Sequence, residues 1–136
     1  MAQTTTVYGF GTTLNASYED AIALVKDALK AEGFGVLSEI DVRETLRQKI
    51  GAEMEPYIIL GACNPTLAHR ALDAERPLGL LLPCNVVVRE VEGGTRVEVA
   101  DPVVMLGIVG NPALDEIAAE AKARLERVVA ALSPTV

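Results

Sequence analysis

The spacing of apolar residues switches several times along the chain between the two-residue period of a strand and the longer period of a helix. Residues that begin or end helices mark the switches, such as Ser17 before one apolar stripe and Gly33 after it. The resulting order is β-α-β-α-β-α-β-β-α. Because the last two strands form a hairpin, this order predicts an α+β fold, a two-layer sandwich with a mainly antiparallel sheet and helices packed on one face.

The predicted elements are short and closely spaced. Strands are expected at residues 4–14, 34–40, 56–62, 78–91 (broken or bulged at Pro83) and 95–100. Helices are expected at residues 18–32, 42–50, 65–74 and 112–132, with a single helical turn at 102–106. In the second helix, the spacing predicts a buried stripe of Val42, Leu46 and Ile50.

Composition determines what kind of core the chain can build. Of its 136 residues, 50% are hydrophobic and only 4% are aromatic, so the core must be aliphatic. A chain of this length buries roughly two-thirds of the surface that its unfolded form exposes, and it needs no disulfide or metal to fold. The sequence is therefore expected to form a single domain over residues 1–136.

Charge and hydropathy argue against two classes of partner. The net charge is −7, and the basic residues Arg43 and Arg47 are interleaved with Glu44, so we expect no nucleic-acid binding. No apolar run approaches ~18 residues, so we expect no membrane-spanning segment. The first residues lack the basic and apolar regions of a signal peptide, and with two cysteines this indicates a cytoplasmic protein with free thiols.

Two similar segments, each an apolar run that ends in Cys-Asn beside a proline, stand out. Cys63-Asn64 precedes a predicted helix, and Cys84-Asn85 follows Pro83. The N–H groups at a helix N-terminus favour a thiolate, so Cys63 is a candidate nucleophile with Cys84 as its partner. The alternative interpretation is that both are small buried hydrophobic side chains, as most free cysteines are. Asn64, Pro83 and Asn85 are candidate binding residues.

His69 is the single histidine and a further candidate binding residue. With Cys63 and Cys84 it offers three ligands, so a metal or anion site near these residues is one alternative. However, no Cys-x-x-Cys or His-x-x-x-His spacing supports a metal centre, and the favoured interpretation is an exposed histidine on the helix. The primary prediction is therefore no metal and no cofactor.

One apolar segment indicates a second covered surface. Val86, Val87 and Val88 follow one another, so the strand is apolar on both of its faces. Strands of this kind are usually covered on both sides. We therefore expect a homodimer.

Four stretches together resemble the domain-of-unknown-function 302 family. They are residues 32–42 (EGFGVLSEIDV), 56–65 (PYIILGACNP), 80–88 (LLLPCNVVV), and Asp101-Pro102 with Gly110-Asn111-Pro112. The resemblance covers nearly the whole chain. It implies a small α+β domain with an antiparallel sheet and a homodimer. It implies no established activity, only that the segments around Cys63-Asn64-Pro65 and Pro83-Cys84-Asn85 matter.

Three functional hypotheses follow. The first is a cytoplasmic homodimeric domain that binds a small ligand or a protein partner. The second is a thiol-dependent redox or sulfur-transfer protein that uses Cys63 with Cys84. The third is a metal or anion binder near Cys63, Cys84 and His69.

Overall fold

The computed structural model describes residues 3–133, and it contains strands and helices in the order that follows. The strands are β1 Gln3–Thr6, β2 Gly9–Leu14, β3 Gly35–Asp41, β4 Tyr57–Cys63, β5 Cys84–Val91 and β6 Gly94–Ala100. The helices are α1 Tyr18–Ala31, α2 Val42–Ile50, α3 Pro65–Ala74, α4 Pro102–Gly107 and α5 Asp115–Leu132. Two 3-10 turns lie at Arg76–Leu81 and Pro112–Leu114.

The described strands form a six-stranded sheet in the order β1-β2-β6-β5-β4-β3. Every neighbouring pair is antiparallel, and the β5–β6 hairpin lies at its centre. Helices pack on this sheet, so the predicted two-layer α+β fold is confirmed. The hairpin turns at Gly93, whose φ of 85° is readily adopted by glycine.

The main core lies between one face of the sheet and the helices α1 and α5. It is aliphatic, as predicted, with Phe10 and Phe34 as its aromatic members. Its fully buried side chains include Val25, Leu29, Leu60, Val86, Val88, Val97, Leu125 and Val128. Burial of one such side chain stabilises the fold by roughly 1.5–3 kcal/mol, so this layer supplies most of the driving force.

A second core cluster lies beside the first, where α3, the first 3-10 turn and α4 meet the N-terminal half of α5. Its buried residues are Leu67, Ala71, Leu78, Leu106, Leu114, Ile117, Ala118 and Ala121. α5 therefore serves both clusters, because Leu125, Val128 and Val129 belong to the main core. This shared helix fixes the second cluster relative to the ends of the strands.

Short-range capping signals predicted the starts of α1, α2 and α3 correctly, whereas the last helix, expected from residue 112, begins at Asp115 after a 3-10 turn. Ser17 Oγ accepts a hydrogen bond from the Asp20 N–H at 3.1 Å and begins α1. Asp41 Oδ1 accepts from the Glu44 N–H at 2.9 Å and begins α2. Such caps are worth about 1 kcal/mol each.

The N-terminal strand was predicted as one element, and the structure corrects this. Residues 3–14 form the β1–β2 hairpin, which turns at Val7 and Tyr8. Both turn residues are exposed, at 85% and 58%. A continuous strand would have left the edge of β2 unpaired, whereas the turn lets β1 pair with it.

Two further predictions were wrong, because local apolar spacing does not show what packs against a segment. Residues 78–82 were expected to begin a strand, but they lie in and just after the 3-10 turn, with Leu78 only 1% exposed in the second cluster. The predicted buried stripe of α2 is not buried, since no residue of that helix is and Ile50 is 74% exposed.

Candidate functional site

A cavity of about 230 Å³ opens between the ends of β4 and β5 and the second core cluster. Its apolar wall includes Leu67 of α3, Leu106 of α4 and Ile117 of α5. Among the residues that the structure describes, none with a charged side chain lines this cavity. A site of this kind favours an apolar occupant, because burying a charge without a partner is costly.

The two Cys-Asn segments meet at this cavity. β4 ends at Cys63 and β5 begins at Cys84, and the antiparallel register places Cys84 directly across from Ala62. Cys63 is one residue further on, so the two cysteines are diagonal neighbours. Both are half-buried, and both line the cavity. The sequence could not show that the two strand ends are adjacent, and the sheet order places them together.

The electrostatic environment of the thiols differs from that of an activated nucleophile. Burial raises the pKa of the Cys63 thiol. Burial also raises the pKa of Cys84, and the nearby Cys63 raises it further. The direction at Cys63 is opposite to the lowering expected at a helix N-terminus, and its cause is the loss of hydration on burial. Near neutral pH the cavity therefore presents two uncharged thiols.

The asparagines beside the cysteines have different environments. Asn64 begins α3, since its Oδ1 accepts a hydrogen bond from the Leu67 N–H at 3.1 Å. Asn85 is exposed on β5 and also lines the cavity. The predicted capping role of Asn64 is confirmed. Asn85 is a polar residue at the cavity edge that caps no helix.

Pro83 is positioned by a close approach between strands. A Cβ added to Gly61 would lie 2.8 Å from Pro83 Cγ and 2.3 Å from Ser38 Oγ. Both distances are too short for real contacts, so glycine is required at position 61 for this packing. Gly61 thereby lets the Pro83 ring lie against β4, immediately before Cys84.

His69 does not join the two cysteines, so the alternative grouping of three ligands is wrong, and the favoured prediction of an exposed histidine is confirmed. Its side chain is 78% exposed, and its Nε2 lies 3.7 Å from Asp73 Oδ2 on the next turn of α3. His69 is absent from the cavity wall. Within residues 3–133, no group of three or more His, Cys, Asp or Glu side chains is placed to hold a metal ion.

A second, smaller depression lies at the N-terminus of α3 and includes Asn64, Arg70, Glu120 and Arg124. Its cations are already paired, because Arg70 and Arg124 lie 3.6 and 3.0 Å from the Glu120 carboxylate. This pairing reduces their attraction for an anion, so the depression does not support the anion-binding hypothesis.

The family model described as "Domain of unknown function DUF302" matches residues 10–132. The chain belongs to the DUF302 family. A similar solved structure is the crystal structure of an uncharacterized conserved DUF302 protein from Bacillus stearothermophilus. It is 33% identical, with a TM-score of 0.86 over 93% of this chain and 99% of that one. No curated protein matches the chain.

Within this DUF302 domain, sequence reasoning missed one part of the cavity wall, which α4 supplies. Met105 and Leu106 of that helix line the cavity. The available signal was Asp101-Pro102, which correctly predicts a helical turn, but the pattern does not show what the turn faces. None of the helices in the described part of the DUF302 chain is long and apolar enough to cross a bilayer.

Proposed function

We propose that this domain binds a small, uncharged and largely apolar molecule in the cavity, and that it does so as a cytoplasmic homodimer. The observation that carries the proposal is a cavity with apolar walls, no charged lining residue, and both Cys-Asn segments at its edge. Small-molecule sites typically combine such walls with a few polar groups that orient the ligand. The two free cysteines support a reducing compartment.

The size of the cavity limits the ligand. A volume of about 230 Å³ corresponds to about eight water-sized groups, at roughly 30 Å³ each. The expected ligand is therefore a short aliphatic or single-ring molecule, with one polar end that the amide of Asn85 can bind.

An NMR titration with three six-carbon compounds tests this proposal. We expect 1-hexanol to cause saturable shifts of the Leu106 and Ile117 amide signals, and we expect hexanoate and hexylammonium to bind much more weakly. The charged compounds must lose hydration in a cavity that offers them no counter-charge. Equal binding of all three, or no saturable shift with hexanol, would contradict the proposal.

A pair of variants on one helix localises the binding. Ala121 lines the cavity, whereas Ala130 is exposed on the same helix α5. Ala121→Leu fills part of the cavity and should abolish hexanol binding, while Ala130→Leu should leave it unchanged. Hexanol binding that persists in Ala121→Leu would place the ligand elsewhere.

The homodimer is supported by the face of the sheet that lies opposite α1 and α5. Ile59 of β4 pairs directly with Ile40 of β3 on one side and with Val87 of β5 on the other. Strand alternation turns these three side chains away from the main core, which contains Leu60, Val86 and Val88. They form an apolar stripe across three strands, and Ile40 is 49% exposed.

We expect this stripe to pack against the same stripe of a second copy, as a two-fold dimer requires. Sedimentation of the purified chain over a range of concentrations measures the association. Ile59→Glu should shift the equilibrium to monomer, and Val104→Glu, on α4, should not. If the wild-type chain sediments as a monomer at all concentrations, the homodimer is wrong, and ligand binding can still be tested on the monomer.

A further inference from the structure

Three sulfur-containing residues line the same cavity. They are Cys63 at the end of β4, Cys84 at the start of β5, and Met105 on α4. The chain has two cysteines and three methionines, so both cysteines and one methionine converge on this single place. Met54, by contrast, lies between α2 and β4 and is not part of the cavity wall.

The sheet places the two cysteines at neighbouring strand ends. Cys84 is the Cα partner of Ala62, and residues paired in this way lie about 4.5–5.5 Å apart. Strand alternation would turn Cys63 to the other side of β4 from Ala62. However, β4 ends at Cys63, and the cavity extends around that end, since Ala62 and Cys63 both line it.

The third sulfur is held by α4, which is anchored at its first turn. Asp101 Oδ1 accepts a hydrogen bond from the Val103 N–H at 2.9 Å, and Asp101 Oδ2 lies 2.9 Å from Lys122 Nζ. Leu106, next to Met105, is buried in the second cluster. Met105 itself is half-buried and lines the cavity from this helix.

Ligand chemistry selects the kind of metal that such a set can hold. Thiolate and thioether sulfur are soft ligands and favour Cu⁺, whereas Mg²⁺ and Ca²⁺ require oxygen ligands. No imidazole or carboxylate from the described residues lines the cavity. We propose that Cys63, Cys84 and Met105 form a binding site for one Cu⁺ ion at the strand ends.

Binding at this site forms Cu–S bonds to both cysteines and to the thioether of Met105. Each cysteine that coordinates the ion loses its proton to solvent, and the thioether loses none. The ion remains Cu⁺ throughout, so no oxidant or reductant takes part. The site uses the same cavity as the proposed apolar ligand but goes beyond that function, because hexanol binding does not require sulfur.

Competition with a chromogenic Cu⁺ chelator such as bicinchoninate, on the reduced full chain without oxygen, measures the affinity. We expect the wild-type chain to withdraw one Cu⁺ per chain. Mutating a residue that only supports a metal ligand typically lowers metal affinity by roughly 10–100-fold. Replacing a ligand itself should have at least this effect, so Cys63→Ser and Cys84→Ser should each weaken Cu⁺ binding by more than about tenfold. Met105→Leu keeps the volume and removes the sulfur, and it should also weaken binding by about tenfold or more.

Met54→Leu is the matched control, since it makes the same change outside the cavity. It should bind Cu⁺ as the wild type does. Thermal melting of each variant shows that it is folded. If the wild type withdraws no Cu⁺, or if Met105→Leu binds as tightly as Met54→Leu, the three-sulfur site is wrong. Hexanol titration of the wild type then shows separately whether the apolar cavity binds a ligand.

Discussion

Lys122 Nζ lies 2.9 Å from Asp101 Oδ2, and this ion pair joins α5 to the start of α4. Asp101 is only 8% exposed, and its other oxygen caps α4 through the Val103 N–H. One carboxylate therefore holds the helix that supplies Met105 and Leu106 to the cavity. The hydrogen bond from Lys122 to Asp101 also raises the pKa of the lysine, so the lysine stays charged near neutral pH.

Substitutions at Asp101 should separate the cap from the ion pair. Asp101→Asn retains a good capping side chain and loses the charge, whereas Asp101→Ala loses both. We expect Asp101→Ala to lower the free energy of unfolding by about 1 kcal/mol more than Asp101→Asn, which is the value of a typical cap. Urea denaturation measures both. Equal losses for the two variants would show that the cap contributes nothing.

Gly61→Ala should destabilise the protein because no space exists for a methyl group. Its Cβ would lie 2.3 Å from Ser38 Oγ and 2.8 Å from Pro83 Cγ. Forced packing of this kind typically costs about 1–3 kcal/mol. Gly35→Ala in β3 is the matched control, since nothing lies within 4 Å of its added Cβ. Urea midpoints that fall equally for both variants would contradict the steric explanation.

The parts of the fold that the sequence predicted depend on residues close together in the chain. The Ser17, Asp41 and Asn64 caps each bond to a backbone N–H three residues on, so their signals are complete within one turn. The last helix was predicted to end near Leu132 and does so, because its apolar stripe is long and regular.

The parts that the sequence did not predict depend on what packs against them. An apolar run such as residues 78–82 fits a strand or a buried turn equally well, and the packing of Leu78 in the second cluster decides between them. In the site, Cys63, Cys84 and Met105 are distant in sequence and meet only through the strand order and the placement of α4. His69 was grouped with them because it follows Cys63 closely, but α3 carries it to the surface.

The phenol of Tyr18 should make stability fall at alkaline pH. Burial, with smaller effects from Asp41 and Glu19, raises its pKa from 10.0 to about 12. Between these values the folded chain keeps the proton and the unfolded chain loses it, so stability is full below pH 10 and declines as pH rises toward 12. Tyr18→Phe lacks this titration and should decline less.

Urea denaturation measures the stability of the wild type and of Tyr18→Phe at about pH 9 and about pH 11.5. These two pH values lie below and above the pKa of free tyrosine. Other groups, such as Lys122, titrate in both proteins, so their effects cancel in the difference. We expect the stability of the wild type relative to Tyr18→Phe to fall between the two pH values. A constant difference would show that Tyr18 ionises equally easily in the folded and unfolded chains.

Labelling of the thiols in the reduced, metal-free protein should distinguish a reactive site from an unreactive one. Burial raises the pKa of both cysteines, most simply in Cys63, where it is the only cause. The thiolate reacts with the label, so labelling near neutral pH should be slower than for a free cysteine, with a midpoint above about 8.5. Cys84→Ser isolates the Cys63 rate, and Cys63→Ser isolates that of Cys84. Mass spectrometry of samples quenched over a pH series gives each rate, and a Cys63 midpoint well below 8.5 would restore the thiol-dependent hypothesis.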